Sequence, residues 1–178
     1  MKTRSLILTA LFAALTAVGA FLKIPFPLSA ITLQFFFTAM AGTLLGKKYG
    51  ALSQAVYVLL GLVGVPIFAL GGGFSYVFQP TFGFLLGLIP SALIIGLLTK
   101  KSRKPVRIVL SCVAGLAALY AVGLPYMALI LNVYMDKGLD FWAVLKSGML
   151  PFLPGDALKI AVAAVLFPKL SVLFDKKR

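Results

Sequence analysis

Apolar residues in this chain gather into long runs, separated by short segments that hold most of its prolines and lysines. Six runs stand out, at about 5–22, 35–46, 51–65, 81–98, 108–133 and 153–174. A helix crosses bilayer hydrocarbon with about 20 predominantly apolar residues, so each run reads as a span, the second and third being short. Six such spans use about 120 residues and leave only short connections. The pattern therefore predicts an all-α membrane protein: a six-transmembrane-helix bundle forming one integral membrane domain over 1–178.

The connections refine this picture. Two prolines break the helix within 23–29, and Lys47-Lys48 marks a tight basic turn between spans two and three. The segment 66–80 is uncharged and aromatic, with Gly71, Gly72 and Gly73 in succession. It is too apolar for a solvated loop and too broken for a helix. Irregular backbone at membrane depth needs protein or a cavity around it, so a re-entrant or lid-like Gly-rich loop is expected between spans three and four. Its glycines can offer backbone N–H groups to a ligand; a flexible plug is the competing role. Gly123-Leu124-Pro125 should kink span five, and the polar stretch 136–148 places Trp142 at a membrane interface.

Composition agrees. Of 178 residues, 61% are hydrophobic and 12% charged, against about 25% charged in soluble domains; mean hydropathy is +1.07. A net charge of +13 would suit nucleic acid, but its placement argues against that partner. With both termini cytoplasmic, thirteen of the seventeen basic residues fall inside, and Lys23, Lys137 and Lys146 fall outside. Lys159 lies within span six. That asymmetry is an orientation signal, and it brings 25–32, 66–79, the kinked half of span five and the start of span six together at the outer face. The first run has the basic start of a signal peptide but no obvious small-residue cleavage site, and is read as a span. Gly42-x-x-x-Gly46-Lys47-Lys48 is one residue short for a phosphate loop and lacks the following Ser or Thr.

One Cys (Cys112) excludes an intrachain disulfide, and the chain has no His. No Ser-His-Asp set, carboxylate pair within one span or metal cluster is present, and no ATPase motif, so energy for active transport must come from another subunit. What remains is Asp156 and Lys159, three apart at the start of span six and on one helical face. Each would cost about 2.5–3.5 kcal/mol if left alone at a bilayer centre. A dipole-favoured acid paired for neutrality would explain them; an ionisable pair turned towards a cavity explains them with a use. Gln54, Gln79, Asn132, Tyr57, Tyr76, Tyr120 and Tyr126 are weaker polar candidates. In span one, Ala10 with Ala14 and Ala13 with Ala17 form small-xxx-small pairs, which serve internal packing or an external helix equally well.

Three stretches also carry a family resemblance: Ile31-Thr32-Leu33-Gln34; Gly71-Gly72-Gly73 followed by Gln79-Pro80-Thr81-x-Gly83; and Leu150-Pro151-Phe152-Leu153-Pro154-Gly155-Asp156-x-x-Lys159. Together they resemble the biotin-specific substrate-binding subunit (S component) of energy-coupling-factor (ECF) transporters, over nearly the whole chain. The resemblance implies a non-enzymatic subunit of an ABC-type importer in the cell membrane, with biotin as transported ligand and no cofactor. It implies docking through Ala10, Ala13, Ala14 and Ala17 to a transmembrane coupling subunit that carries a pair of cytoplasmic ATPases. Asp156 and Lys159 would meet the ureido ring as acceptor and donor, and Phe78, Tyr120 and Tyr126 would wall the sulfur ring and chain. Gln54, Asn132, Gly72, Gly73 and Gln79 complete the expected ligand set. The biotin carboxylate is left to the glycine-loop N–H groups or to Lys23. An S component for another small vitamin, an intramembrane enzyme using Asp156, and a stand-alone carrier are the alternatives.

Overall fold

The computed structural model describes residues 2–26, 29–100 and 104–175. Pro27 of the first break, positions 101–103 of the basic cluster and the terminal Lys176-Lys177-Arg178 lie outside the described residues.

The first apolar run is helix α1 (Lys2–Phe21). The proline-broken segment after it is not a simple loop. It forms an antiparallel pair, β1 (Lys23–Phe26) and β2 (Ser29–Thr32), in the register Lys23 opposite Thr32 and Ile24 opposite Ile31. Sequence alone gave no sign of it, because a four-residue strand is too short for an alternating pattern to register.

Helix α2 (Gln34–Leu62) holds the second and third runs in one element, interrupted at Gly46 with φ 79° and ψ 178°. Side chains with a Cβ strongly disfavour that region, and glycine does not. The chain reverses there, and the arms 34–45 and 47–62 lie antiparallel. Gln34 bonds to Tyr57 and Thr38 to Gln54 across the pair, while a Cβ on Gly50 would fall 2.9 Å from the Gly42 Cα. The turn expected at Lys47-Lys48 thus forms one residue earlier.

A crossing segment follows, with a 3-10 turn at Phe74–Phe78. Helix α3 (Phe82–Thr99) and helix α4 (Pro105–Leu129) are the fourth and fifth runs. Pro105 opens α4 at a position where its missing N–H has no helical partner to lose. The helix continues through Pro125 and passes into a π turn, Ile130–Tyr134. The stretch expected as a plain polar connection contains a short helix, α5 (Phe141–Gly148), capped by the Asp140 carboxylate accepting from the Ala143 N–H at 2.8 Å. Phe141 and Trp142 lie exposed on it. Helix α6 (Leu153–Asp175) closes the chain.

Packing follows the small residues. α2 lies between α1 and α3, α3 against α4, and α6 against both α2 and α4. At Gly87 a Cβ would sit 2.8 Å from the Leu119 carbonyl oxygen, so α3 and α4 touch backbone to backbone. Phe12, Ile95, Ile108, Met127, Leu131 and Phe167 fill the interior, while Leu6, Ile7, Leu59, Leu110 and Val165 face outward. An apolar exterior around an apolar interior is what hydrocarbon solvent permits. By length and apolarity alone the described residues supply three spans, Thr3–Phe21, Phe82–Thr99 and Pro105–Tyr134. A fourth arises if Phe141–Gly148 and Leu153–Leu170, bent by 46°, act together. The two arms of α2, 34–45 and 47–62, are each shorter than the roughly 20 residues that cross hydrocarbon.

Candidate functional site

Three helices begin with polar residues at the edge of an apolar run: Gln34 opens α2, Thr81 precedes α3, and Asp156 lies in the first turn of α6. All three line one cavity. Thr32 of β2, Ala69 and Leu70 of the crossing segment, Tyr120 of α4 and Gly148 of α5 also line it, together with apolar side chains that include Leu85, Leu88 and Leu116. Counted with its open mouth, and so including bulk solvent, the space between its walls is about 730 Å³.

At its wall sits a three-member polar cluster. Lys159 Nζ donates to Asp156 Oδ1 at 2.7 Å, and the Tyr120 phenol donates to Asp156 Oδ2 at 2.7 Å. Asp156 is 5% exposed and Lys159 9%. Both carboxylate oxygens are engaged, yet each retains a lone pair, and the ammonium retains two N–H donors. The cluster is internally neutral and can still accept and donate at once. A carboxylate tied on both oxygens is poorly placed as a general base. A second polar set stands beside it: Thr32 Oγ1 donates to Gln34 Oε1 and Gln34 Nε2 donates to the Tyr57 phenol, each at 2.8 Å. Tyr57 in turn donates to the Ile67 carbonyl at 3.1 Å.

The structure therefore gathers Asp156, Lys159 and Tyr120 in the cavity wall, and distributes the other expected ligand residues elsewhere. Gln54 is fully buried, its amide donating to Thr16 and Ser53 and accepting from Thr38, so that it ties α1 to both arms of α2. The Tyr126 phenol donates to the Val77 carbonyl at 2.6 Å and steadies the 3-10 turn. Asn132 exchanges two hydrogen bonds with the backbone of Leu139, closing the loop after the π turn. Phe78 is exposed and stacks on Tyr134, with ring centres 4.9 Å apart. Gln79 is exposed, and its backbone joins Tyr76 to Phe82. The Gly71 N–H donates to Phe68 and the Gly73 N–H to Gly61; a Cβ on Gly72 would strike the Val65 carbonyl. These glycines shape the crossing segment, which touches the cavity through Ala69 and Leu70 instead. On α1 the alanines divide: Ala13 and Ala17 are buried within the bundle, Ala10 and Ala14 exposed. Tyr76, one of the weaker polar candidates, lines the cavity, as do Thr32, Gln34, Thr81, Phe84 and Phe152, which the sequence did not single out as ligands. A polar residue at the first turn of an apolar run was the signal that could have found Gln34 and Thr81, since the same signal found Asp156.

Comparison with known proteins decides the family. The BioY family model matches residues 1–176. The chain belongs to the BioY family. A probable biotin transporter BioY from Lysinibacillus sphaericus is 42% identical over 179 residues, covering 99% of this chain and 91% of the relative. The biotin transporter BioY of Thermotoga maritima is 40% identical over 171 residues, covering 96% of this chain and 97% of the relative. The fold is similar to the crystal structure of the S-component for biotin from an ECF-type ABC transporter, with a TM-score of 0.81 at 26% identity, covering 95% of this chain and 91% of that one. As a BioY member, this is a multi-pass membrane transport protein and not an enzyme.

Proposed function

We propose that the chain is the high-affinity biotin-binding S component of an ECF-type ABC importer, and that it captures biotin at the extracellular face. The observation that carries this reading is the Asp156–Lys159–Tyr120 cluster in an otherwise apolar cavity. A cyclic urea presents two N–H donors and one carbonyl on one edge. The free lone pairs of Asp156 and the free N–H groups of Lys159 answer both kinds of group. The aromatic and aliphatic wall accepts the fused sulfur ring. In this reading the two arms of α2 serve as spans two and three, which gives six spans with both termini cytoplasmic, as the basic residues favour. The crossing segment 66–80 and the β1–β2 pair then stand over the outer mouth as a lid. Energy comes from a coupling subunit and two cytoplasmic ATPases docked on α1.

Titration of biotin into the purified, ligand-free protein tests the reading. Wild-type protein should bind, and Asp156→Asn and Lys159→Ala should each weaken binding at least about ten-fold, the loss expected for a hydrogen bond to a charged group. Because unpairing a buried charge also destabilises by about 3–5 kcal/mol, melting temperature is followed in parallel. Folded variants with wild-type affinity would remove the proposed site, and affinity for a different vitamin alone would reassign the ligand.

A further inference from the structure

Biotin also carries a carboxylate at the end of a flexible chain, ionised at neutral pH, and the inner cluster, engaged by the ring and neutral overall, offers it no net charge. Among the described residues lining the cavity, Asp156 and Lys159 are the only charged side chains, and they neutralise each other. An ionised carboxylate left without a partner in such a site is strongly disfavoured. The glycine-loop N–H groups are poor receivers, since those of Gly71 and Gly73 already hold the crossing segment in shape.

Two observations place a cation next to residues that line the cavity. Lys23 lies directly opposite Thr32 in the β1–β2 register, and directly opposed residues project from the same face with Cβ atoms about 4.5–5.5 Å apart. Thr32 lines the cavity, so Lys23 stands on the face of the strand pair that borders it. Independently, Lys23 Nζ donates to the carbonyl oxygen of Ala69, a residue of the crossing segment that lines the cavity. An ammonium has three donors, and one of them is used. The first turns of α2, α3 and α6, which also line the cavity, add positive dipole ends of the same sign.

We propose that Lys23 receives the ligand's carboxylate at the cavity mouth and thereby sets the preference for the acid over its uncharged derivatives. The inference rests on the biotin reading above. Lys23 keeps its bond to Ala69 while gaining the carboxylate, so the strand pair and the crossing segment, already joined through that bond, hold the lysine in place for the acid. The inner cluster recognises the ring; the outer lysine recognises the tail.

The test compares biotin with biotinamide, its neutral carboxamide, on purified wild-type protein, Lys23→Gln, Lys23→Arg and the exposed control Lys137→Ala. Lys23→Gln should weaken biotin at least about ten-fold while changing biotinamide by less than about three-fold. Lys23→Arg should keep most of the preference for the acid, and Lys137→Ala all of it. Asp156→Asn should weaken acid and amide alike, which separates ring recognition from tail recognition. Equal losses for both ligands in Lys23→Gln would make Lys23 a mere fastener between strand pair and crossing segment, overturning the proposal. Unchanged biotin affinity would overturn it as well. Wild-type protein that binds neither ligand would sink this inference together with the reading it rests on.

Discussion

Tyr120 is the most informative single residue beyond the charged pair. Its phenol supplies the second hydrogen bond to Asp156 and so fixes the orientation of a carboxylate that lines the cavity. Tyr120→Phe deletes one oxygen and leaves the ring in its edge-on contact with Phe84. Biotin affinity should fall roughly ten-fold, the equivalent of about 1.4 kcal/mol for one charge-assisted bond, with a modest fall in melting temperature because a buried carboxylate oxygen loses its donor. Calorimetric titration reads the first and thermal unfolding in detergent the second; unaltered affinity would mean that the phenol plays no part in orienting the acid. The charged pair was legible in the sequence because charge inside an apolar run stands out. Tyr120 was visible only as one tyrosine among several, and nothing local separated it from Tyr126. What separates them is the neighbour each meets, the Asp156 carboxylate in one case and the Val77 carbonyl in the other. Gln54 was ambiguous for the same reason. A buried amide must be satisfied somewhere, and whether by ligand or by helix depends on contacts that are distant in the chain.

At the scale of elements, long apolar runs gave most helices their place, because their length and hydropathy are local properties. The β1–β2 pair, the α5 helix and the π turn were hidden, since each is stabilised by what lies against it and not by its own pattern. Gly46 is an intermediate case. Its role as the reversal point of α2 is written in its positive φ, which no sequence window displays. Nothing lies within 4 Å of a Cβ built there, so Gly46→Ala isolates the backbone effect from any clash. It should destabilise the protein by about 1–3 kcal/mol, the cost of holding a residue with a Cβ at positive φ with ψ near 180°, a region essentially reserved for glycine. A lowered melting temperature with undiminished biotin affinity is the expected result, and an unchanged melting temperature would show that the reversal tolerates a side chain.

For the whole molecule, the division of the α1 alanines defines an outside and an inside. Ala14 is exposed beside Leu11 and Val18, whereas Ala13 is 4% exposed against the bundle. If α1 is the docking face for a coupling subunit, Ala14→Trp should block assembly or uptake while leaving biotin binding by the isolated subunit intact. Ala13→Trp should instead overpack the interior, at about 1–3 kcal/mol or more, and lower the melting temperature whether or not a partner is present. Co-purification with the coupling complex, read beside binding by the isolated subunit, distinguishes the two. Assembly that survives Ala14→Trp would move the docking face elsewhere. The small-residue spacing carried both faces at once, which is why the sequence could not say which alanines look outward.

The buried polar contacts around Gln54 have one more consequence. Thr16, Gln54, Ser53 and Thr38 interlock α1 with both arms of α2, and Gln34 and Tyr57 extend the chain of contacts to Ile67. Shifting either arm by one turn would strand these donors where no water can reach them. Two neighbouring helices are thus indexed like gear teeth, and sliding between them is barred. On the proposed reading, the motion that admits a solute then falls to the β1–β2 pair and to the crossing segment beyond its tether at Ile67, with the block itself serving as the fixed anvil.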